Sequence, residues 1–102
     1  MPQNEAPTLV FEYPFDERAQ FEAKCRGYLS HAKVRQPDGT MYPVYFYDCT
    51  RLAQELQDEV SAGKVYIAEL GMIILQEVTL ENMNGAIEKL TKVGFFKGLK
   101  PL

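Results

Sequence analysis

The strongest candidate for covalent chemistry in this sequence is Cys49, in the tripeptide Asp48-Cys49-Thr50 between an aromatic run and a predicted helix. A cysteine at a helix N-terminus can have a lowered thiol pKa, so this position suits a nucleophile. His31, the single histidine of the chain, is the matching candidate base. The weak catalytic candidates are therefore Cys49, His31 and Asp48. The structural interpretation is favoured, with Asp48 or Thr50 as the helix cap and Cys49 as a small filler.

Most other catalytic constellations are excluded by residue type and spacing. The chain has one histidine and two cysteines, Cys25 and Cys49, without the spacing of a metal site. It contains no glycine-rich phosphate loop, no GxSxG and no HExxH. We therefore expect no metal and no cofactor, and an enzyme is the less favoured class.

A second set of residues suits binding rather than catalysis, and its geometry depends on a predicted hairpin. Two strand-like runs flank the turn Pro37-Asp38-Gly39, which suits a three-residue loop with the glycine in a left-handed conformation. This loop predicts that Gln36 pairs with Thr40. Counting back along the strands predicts three further pairs: Val34 with Tyr42, Ala32 with Val44, and Ser30 with Phe46.

That register separates an apolar face from a mixed face, because side chains alternate along a strand. The apolar face would join the core. The reverse face collects the predicted binding residues Lys33, Arg35, Tyr45 and Tyr47, with His31 beside them. Tyrosine and arginine are enriched at protein interfaces, so we predict an oligomerising or partner-binding module, and homodimerisation is its simplest form.

Two other functions stay open for the same face. A small-molecule-binding or catalytic domain would use Cys49 and His31 near the sheet. Single-stranded nucleic acid could stack on Tyr45 and Tyr47, but the net charge of −3 and the lack of a basic-Gly-aromatic signature argue against it. Nucleic acid is therefore not an expected partner.

The composition predicts one compact domain, with residues 1–7 as a flexible N-terminus and residues 8–102 as a single α+β domain. No signal peptide is evident, and the longest apolar run, Met72 to Leu75, is too short to span a bilayer. We expect a soluble cytoplasmic protein with reduced thiols and no membrane association. Whether Cys25 and Cys49 meet in space stays open.

The hydrophobic pattern predicts the order β-α-β-β-α-β, typical of a ferredoxin-like fold: a two-layer antiparallel sheet with helices on one face. Caps and glycines place one helix at about 17–26, a second ending at Ala62 and a third after Thr79 at the C-terminus. Val65 to Ala68 and Ile73 to Leu75 each read as a buried strand, so the order allows one possible extra strand as well as the C-terminal helix. Gly71 between them indicates either a hairpin or a bulge.

Overall fold

The computed structural model describes residues 6–102, and its elements follow the predicted order with an additional C-terminal helix. Most of the predicted flexible N-terminus, 1–7, therefore lies outside the described residues. The elements in chain order are β1 (Thr8–Phe11), α1 (Glu17–Arg26), β2 (Tyr28–Arg35), β3 (Met41–Tyr47), α2 (Cys49–Ser61), β4 (Met72–Ile74), α3 (Leu80–Lys92) and a short 3₁₀ helix (Phe95–Gly98).

Each α-helix begins at a side chain that caps its free amides. Asp16 accepts from the Ala19 N–H at 2.9 Å at the start of α1. Asp48 accepts from the Arg51 N–H at 2.7 Å, and Thr79 accepts from the Asn82 N–H at 3.2 Å. Local side-chain chemistry therefore fixes all three helix starts, and Asp48 rather than Thr50 caps α2.

The predicted hairpin loop is confirmed. The Gln36 N–H donates to the Thr40 carbonyl oxygen at 2.8 Å, and Gly39 adopts a φ of 91°. The Asp38 carboxylate accepts from the Thr40 N–H at 2.8 Å, and this bond lowers the pKa of Asp38. The loop thereby sets the register of the first half of the hairpin.

A β-bulge shifts the register in the second half. Val34 lies opposite Tyr42 and Ala32 opposite Val44, as predicted, but Leu29 rather than Ser30 lies opposite Phe46. The bulge lies where two residues of β2, Ser30 and His31, oppose the single residue Tyr45 of β3. His31 has a φ of 62°. A side chain at positive φ is uncommon, so the sequence carried no signal for this bulge.

The sheet is mixed, so the predicted fully antiparallel sheet is wrong. Its strand order is β1-β2-β3-β4, and the first two pairings are antiparallel, but β3 and β4 run parallel. The parallel pair arises because α2 crosses from the end of β3 to the start of β4, as a βαβ connection requires. The fold is α+β with an open four-stranded sheet, and the ferredoxin-like arrangement is not confirmed.

The core lies on one face of the sheet, beneath α1, α3 and the C-terminal 3₁₀ helix. Its largest fully buried side chains are Phe46, Phe96, Met83 and Ile87. Helix α3 contributes an apolar stripe spaced every three or four residues, with Met83 and Ile87 in the core and Leu80 and Leu90 at its margin. Helix α2 differs, because none of its residues is buried.

The predicted strand at residues 65–68 is wrong. No strand forms there, and Val65 is 80% exposed while Tyr66 is 57% exposed. Strand propensity depends strongly on tertiary context, and β4 rather than this segment takes the parallel position beside β3. Gly71 therefore marks neither a hairpin nor a bulge but the entry to β4.

Two glycine substitutions test this packing in opposite directions. Gly71 is buried with a φ of 83°, and a β-carbon there would collide with the Pro43 carbonyl oxygen. Gly85 lies in α3 with no atom within 4 Å of such a β-carbon. We expect Gly71→Ala to lower the free energy of unfolding by about 2 kcal/mol or more, from strain and overlap.

By contrast, Gly85→Ala should raise the free energy of unfolding by about 0.5–1 kcal/mol, because alanine is the better helix former. Urea unfolding of the two variants beside the wild type measures both changes. A neutral Gly71→Ala would contradict the close approach of β4 to β3.

Candidate functional site

The candidate catalytic residues lie at different places on the surface. Cys49 is exposed at the first residue of α2, and the Asp48 carboxylate is engaged as the cap of that helix. His31 is exposed at the bulge of β2, with its Nδ1 3.4 Å from Ser30 Oγ. Cys25 and Cys49 are both free thiols.

His31 borders two clefts, and Cys49 lines neither of them. One cleft, of about 190 Å³, lies between the β1–α1 connection and the start of β2. The other, of about 370 Å³, lies on the reverse face of the sheet beside Lys33, Pro43 and Tyr45. The structure therefore does not place the candidate nucleophile and the candidate base in a shared cleft.

The four predicted binding residues do not form one exposed surface. Lys33 and Arg35 are exposed and Tyr45 is half-buried, but Tyr47 is only 5% exposed. Tyr47 points away from the core cluster, and it is covered by α2 and by the segment that follows α2. The accessible part of the predicted surface is thus Lys33, Arg35 and Tyr45.

A polar aromatic cluster surrounds Tyr47 and attaches α2 to the reverse side of the sheet. The Tyr47 hydroxyl donates to Glu69 Oε1 at 2.9 Å. The ring of Tyr28 lies 4.8 Å from that of Tyr47, and the Arg51 guanidinium lies 5.0 Å from the Tyr28 ring centre. Arg51 Nε also donates to Glu55 Oε2 at 2.7 Å. Helix α2 therefore departs from the predicted arrangement with all helices on one face.

This cluster determines which side of α2 faces the protein. Arg51, Glu55 and Glu59 recur every four residues, and all three are half-buried. Glu55 and Glu59 border the same small cleft as Tyr47. The charged row of the helix therefore faces the sheet, which is the reverse of the usual orientation of an amphipathic surface helix.

The apolar residues of α2 other than Leu52 consequently point outward, and Leu52 is half-buried like the charged row. We call the outward sector the α2 surface, and helical spacing places four exposed residues on it: Cys49, Ala53, Leu56 and Val60. Leu56 is 38% exposed and Val60 is 45% exposed. Leu52, Leu56 and Val60 recur every four residues in the sequence, but this spacing does not give their orientation, which depends on the contacts of Arg51 and Tyr47.

The segment after α2 adds more exposed apolar area. Besides Val65 and Tyr66, Leu70 is 66% exposed. Large apolar side chains are therefore exposed both along α2 and in the chain that follows it. Scattered exposed hydrophobic residues are ordinary, but a concentration of them in one stretch marks an interaction site.

The three comparisons with known proteins gave no match, whether to family models, to curated proteins or to solved structures. Within residues 6–102, no helix combines the length and apolar character needed to cross a membrane. The same described residues contain no cluster of three or more His, Cys, Asp or Glu side chains able to hold a metal ion. The function therefore has to be argued from the geometry of this chain.

The Tyr47 hydroxyl provides a test of the cluster that orients α2. Burial, and next the bond to Glu69, raise the pKa of Tyr47 well above its ordinary value of 10.0. We expect Tyr47→Phe to lower the free energy of unfolding by about 1 kcal/mol at neutral pH, because it removes this hydrogen bond.

The pH dependence follows from the raised pKa. Above about pH 10 the unfolded chain loses the Tyr47 proton while the folded chain retains it, so the stability of the wild type falls as pH rises. The free energy of unfolding of the Tyr47→Phe variant should lack this part of the decline. The difference in free energy of unfolding between the wild type and the variant should therefore shrink as the pH rises. Urea unfolding from about pH 8 to about pH 11 measures it. Tyr13→Phe, at a 73% exposed tyrosine, is the control. If the free energy of unfolding of the Tyr47→Phe variant falls as much as that of the wild type, the Tyr47 hydroxyl is not buried and hydrogen-bonded in the folded protein.

Proposed function

We propose that this protein is a partner-binding module and that the α2 surface is its contact site. The observation that carries the proposal is the reversed orientation of α2, in which Leu56 and Val60 stay 38% and 45% exposed while the charged row faces the sheet. An amphipathic helix in this orientation offers a helical apolar face to another protein.

The comparison with α3 in the same chain supports this interpretation. Both helices have thirteen residues and a regular apolar stripe. The stripe of α3 is buried, with Met83 and Ile87 fully covered, whereas no residue of α2 is buried. Burying apolar surface contributes roughly 25 cal/mol per Å². A partner that covers the α2 surface would therefore gain binding free energy from apolar area that the fold leaves exposed.

The reverse face of the sheet supports the same class of function through a different surface. Lys33 and Arg35 are exposed beside the half-buried Tyr45, a composition favoured at protein interfaces. We propose this face as a secondary contact zone for a protein partner or a second copy of the chain. We also propose a cytoplasmic location, which suits the two exposed free thiols Cys25 and Cys49.

Small-molecule binding is the second candidate function, and one observation favours it. The 370 Å³ cleft on the reverse face brings His31, Lys33 and Tyr45 around one opening. Its volume is within the range of ligand sites, and His31 adopts a strained φ of 62° beside it. Covalent catalysis has less support, since Cys49 is not among the residues that line this cleft.

Photo-crosslinking from α2 tests the proposed function. A benzophenone amino acid at position 56 should form covalent adducts with a protein partner in the native cells of this protein. The same group at position 54 should not, because Gln54 lies on the opposite side of the helix. Adduct formation that is equal at the two positions, or absent at both, would contradict the proposed contact site.

A stability measurement separates binding from folding. We expect the double variant Leu56→Gln/Val60→Gln to lose the adducts formed from a benzophenone placed at position 53. Its free energy of unfolding should fall by less than about 1 kcal/mol, because both residues are part-exposed. The control Ile87→Ala, on the buried stripe of α3, should cost about 2–5 kcal/mol. A large loss in the double variant would show that the α2 surface serves the fold instead.

A further inference from the structure

The negative charge of this protein is concentrated around the α2 surface. Residues 48–70 contain five acidic and two basic side chains, a net charge of −3, and this equals the net charge of the whole chain. The other residues of the chain include nine acidic and nine basic side chains, so their net charge is zero. The stretch that exposes the apolar side chains is therefore also the stretch that makes the protein acidic.

The acidic side chains border the α2 surface along one edge. Helical spacing places Glu59 next to Leu52 and Leu56, with Glu55 beside it. Glu55, Glu59 and Glu69 also surround one cleft of about 170 Å³, where Lys64 is the one cationic side chain. The opposite edge of the sector has Gln57 and Ser61, which are uncharged. The α2 surface thus has an acidic edge and a neutral edge.

Internal ion pairs leave Glu59 available at the edge of the α2 surface. The bond between Arg51 and Glu55 is close at 2.7 Å, but the Lys64–Glu59 pair is long at 3.9 Å, and both of its side chains are part-exposed. Asp58 is exposed too, but it lies on the same side of the helix as Gln54, away from the α2 surface. Exposed pairs contribute little to stability, so Glu59 can pair with an incoming cation at small cost.

We propose that the partner of the α2 surface is an amphipathic helix of another protein, with basic residues flanking its apolar stripe. This proposal rests on the proposed function and adds the chemistry of the partner. The thirteen-residue α2 presents an apolar row that a second helix covers by ridges-into-grooves packing. Lysine or arginine along the partner's edge then pairs with Glu59, as flanking charges do in coiled coils.

A second copy of the chain is a poorer occupant for the same reason. It would bring an identical stretch of net charge −3 against the first, and juxtaposed like charges oppose association. A partner with a basic edge has the complementary sign, which accelerates encounter and fixes the orientation of the pair.

The test measures binding of a fluorescent synthetic helix of about 18 leucine and lysine residues with an amphipathic pattern. We expect saturable binding that weakens with added salt. A peptide of the same composition with a scrambled, non-amphipathic pattern should bind at least about tenfold more weakly. Equal binding of the two peptides would show attraction to bulk charge alone and would overturn the proposal.

Two matched variants separate the acidic edge from net charge. Glu59→Lys should weaken binding of the amphipathic peptide at least about tenfold, because it reverses the charge of the edge beside the partner. Glu88→Lys makes the same change in net charge at an exposed site elsewhere. That control should bind within about twofold of the wild type. Equal weakening in both variants would overturn the assignment to α2.

The remaining outcomes distinguish this inference from the proposed function. Sedimentation measures whether the protein is a monomer or a dimer. If the wild type is a dimer and the Leu56→Gln/Val60→Gln variant is a monomer, the α2 surface binds a second copy of the chain, which would overturn the inference. Adducts from position 56 without any binding of the basic helix would also overturn it while leaving a partner-binding module. If position 56 gives no adducts, the proposed function itself fails.

Discussion

The orientation of α2 depends on one polar cluster, in which Arg51 lies over the ring of Tyr28, that ring is tilted against the ring of Tyr47, and the Tyr47 hydroxyl donates to Glu69. The Tyr47–Glu69 bond, at 2.9 Å, connects the sheet to the segment after α2, and the Arg51 guanidinium, 5.0 Å from the Tyr28 ring centre, connects the helix to the sheet. A charged and aromatic contact replaces the usual apolar one. Because the charged row is used inward, the aliphatic row of the same helix has no place in the core.

In this arrangement the two amphipathic helices α2 and α3 differ in where their apolar stripes lie. Helix α3 uses its apolar stripe to close the core over Val34, Val44 and Phe46. Helix α2 contributes no buried residue and instead presents its stripe to solvent beside an acidic edge. The fold is complete without α2 packing into the core, which leaves that helix available for recognition.

Local features of the fold could be predicted from the sequence because they depend on a few neighbouring residues. The Pro37-Asp38-Gly39 loop, the cap Asp16 with the helix it begins, and the buried stripe of α3 all follow from short-range chemistry and periodicity. Burial on one face of the sheet also followed, because Val34 alternates with Lys33 and Arg35, and the hairpin register places Val44 on the same face.

The site could not be predicted in the same way, because it depends on contacts between distant residues. The bulge at Ser30 and His31 requires a non-glycine residue at positive φ, which has no sequence signature. Tyr47 was expected on an exposed face, but Glu69, twenty-two positions later, accepts a hydrogen bond from its hydroxyl, and the segment after α2 covers the ring. Residues 65–68 likewise form no strand despite their strand propensity, because propensity depends on tertiary context and β4 takes the position beside β3.

Methyl NMR with a soluble paramagnetic gadolinium chelate tests the central claim most directly, because relaxation enhancement reports the approach of solvent to each methyl group. The outward orientation of α2 predicts strong enhancement at the methyl groups of Leu56 and Val60. The methyl groups of Val44 and Val78, which are fully buried, should show almost none. Equal protection of Leu56, Val60 and Val44 in the isolated protein would contradict an α2 surface that is free to bind a partner.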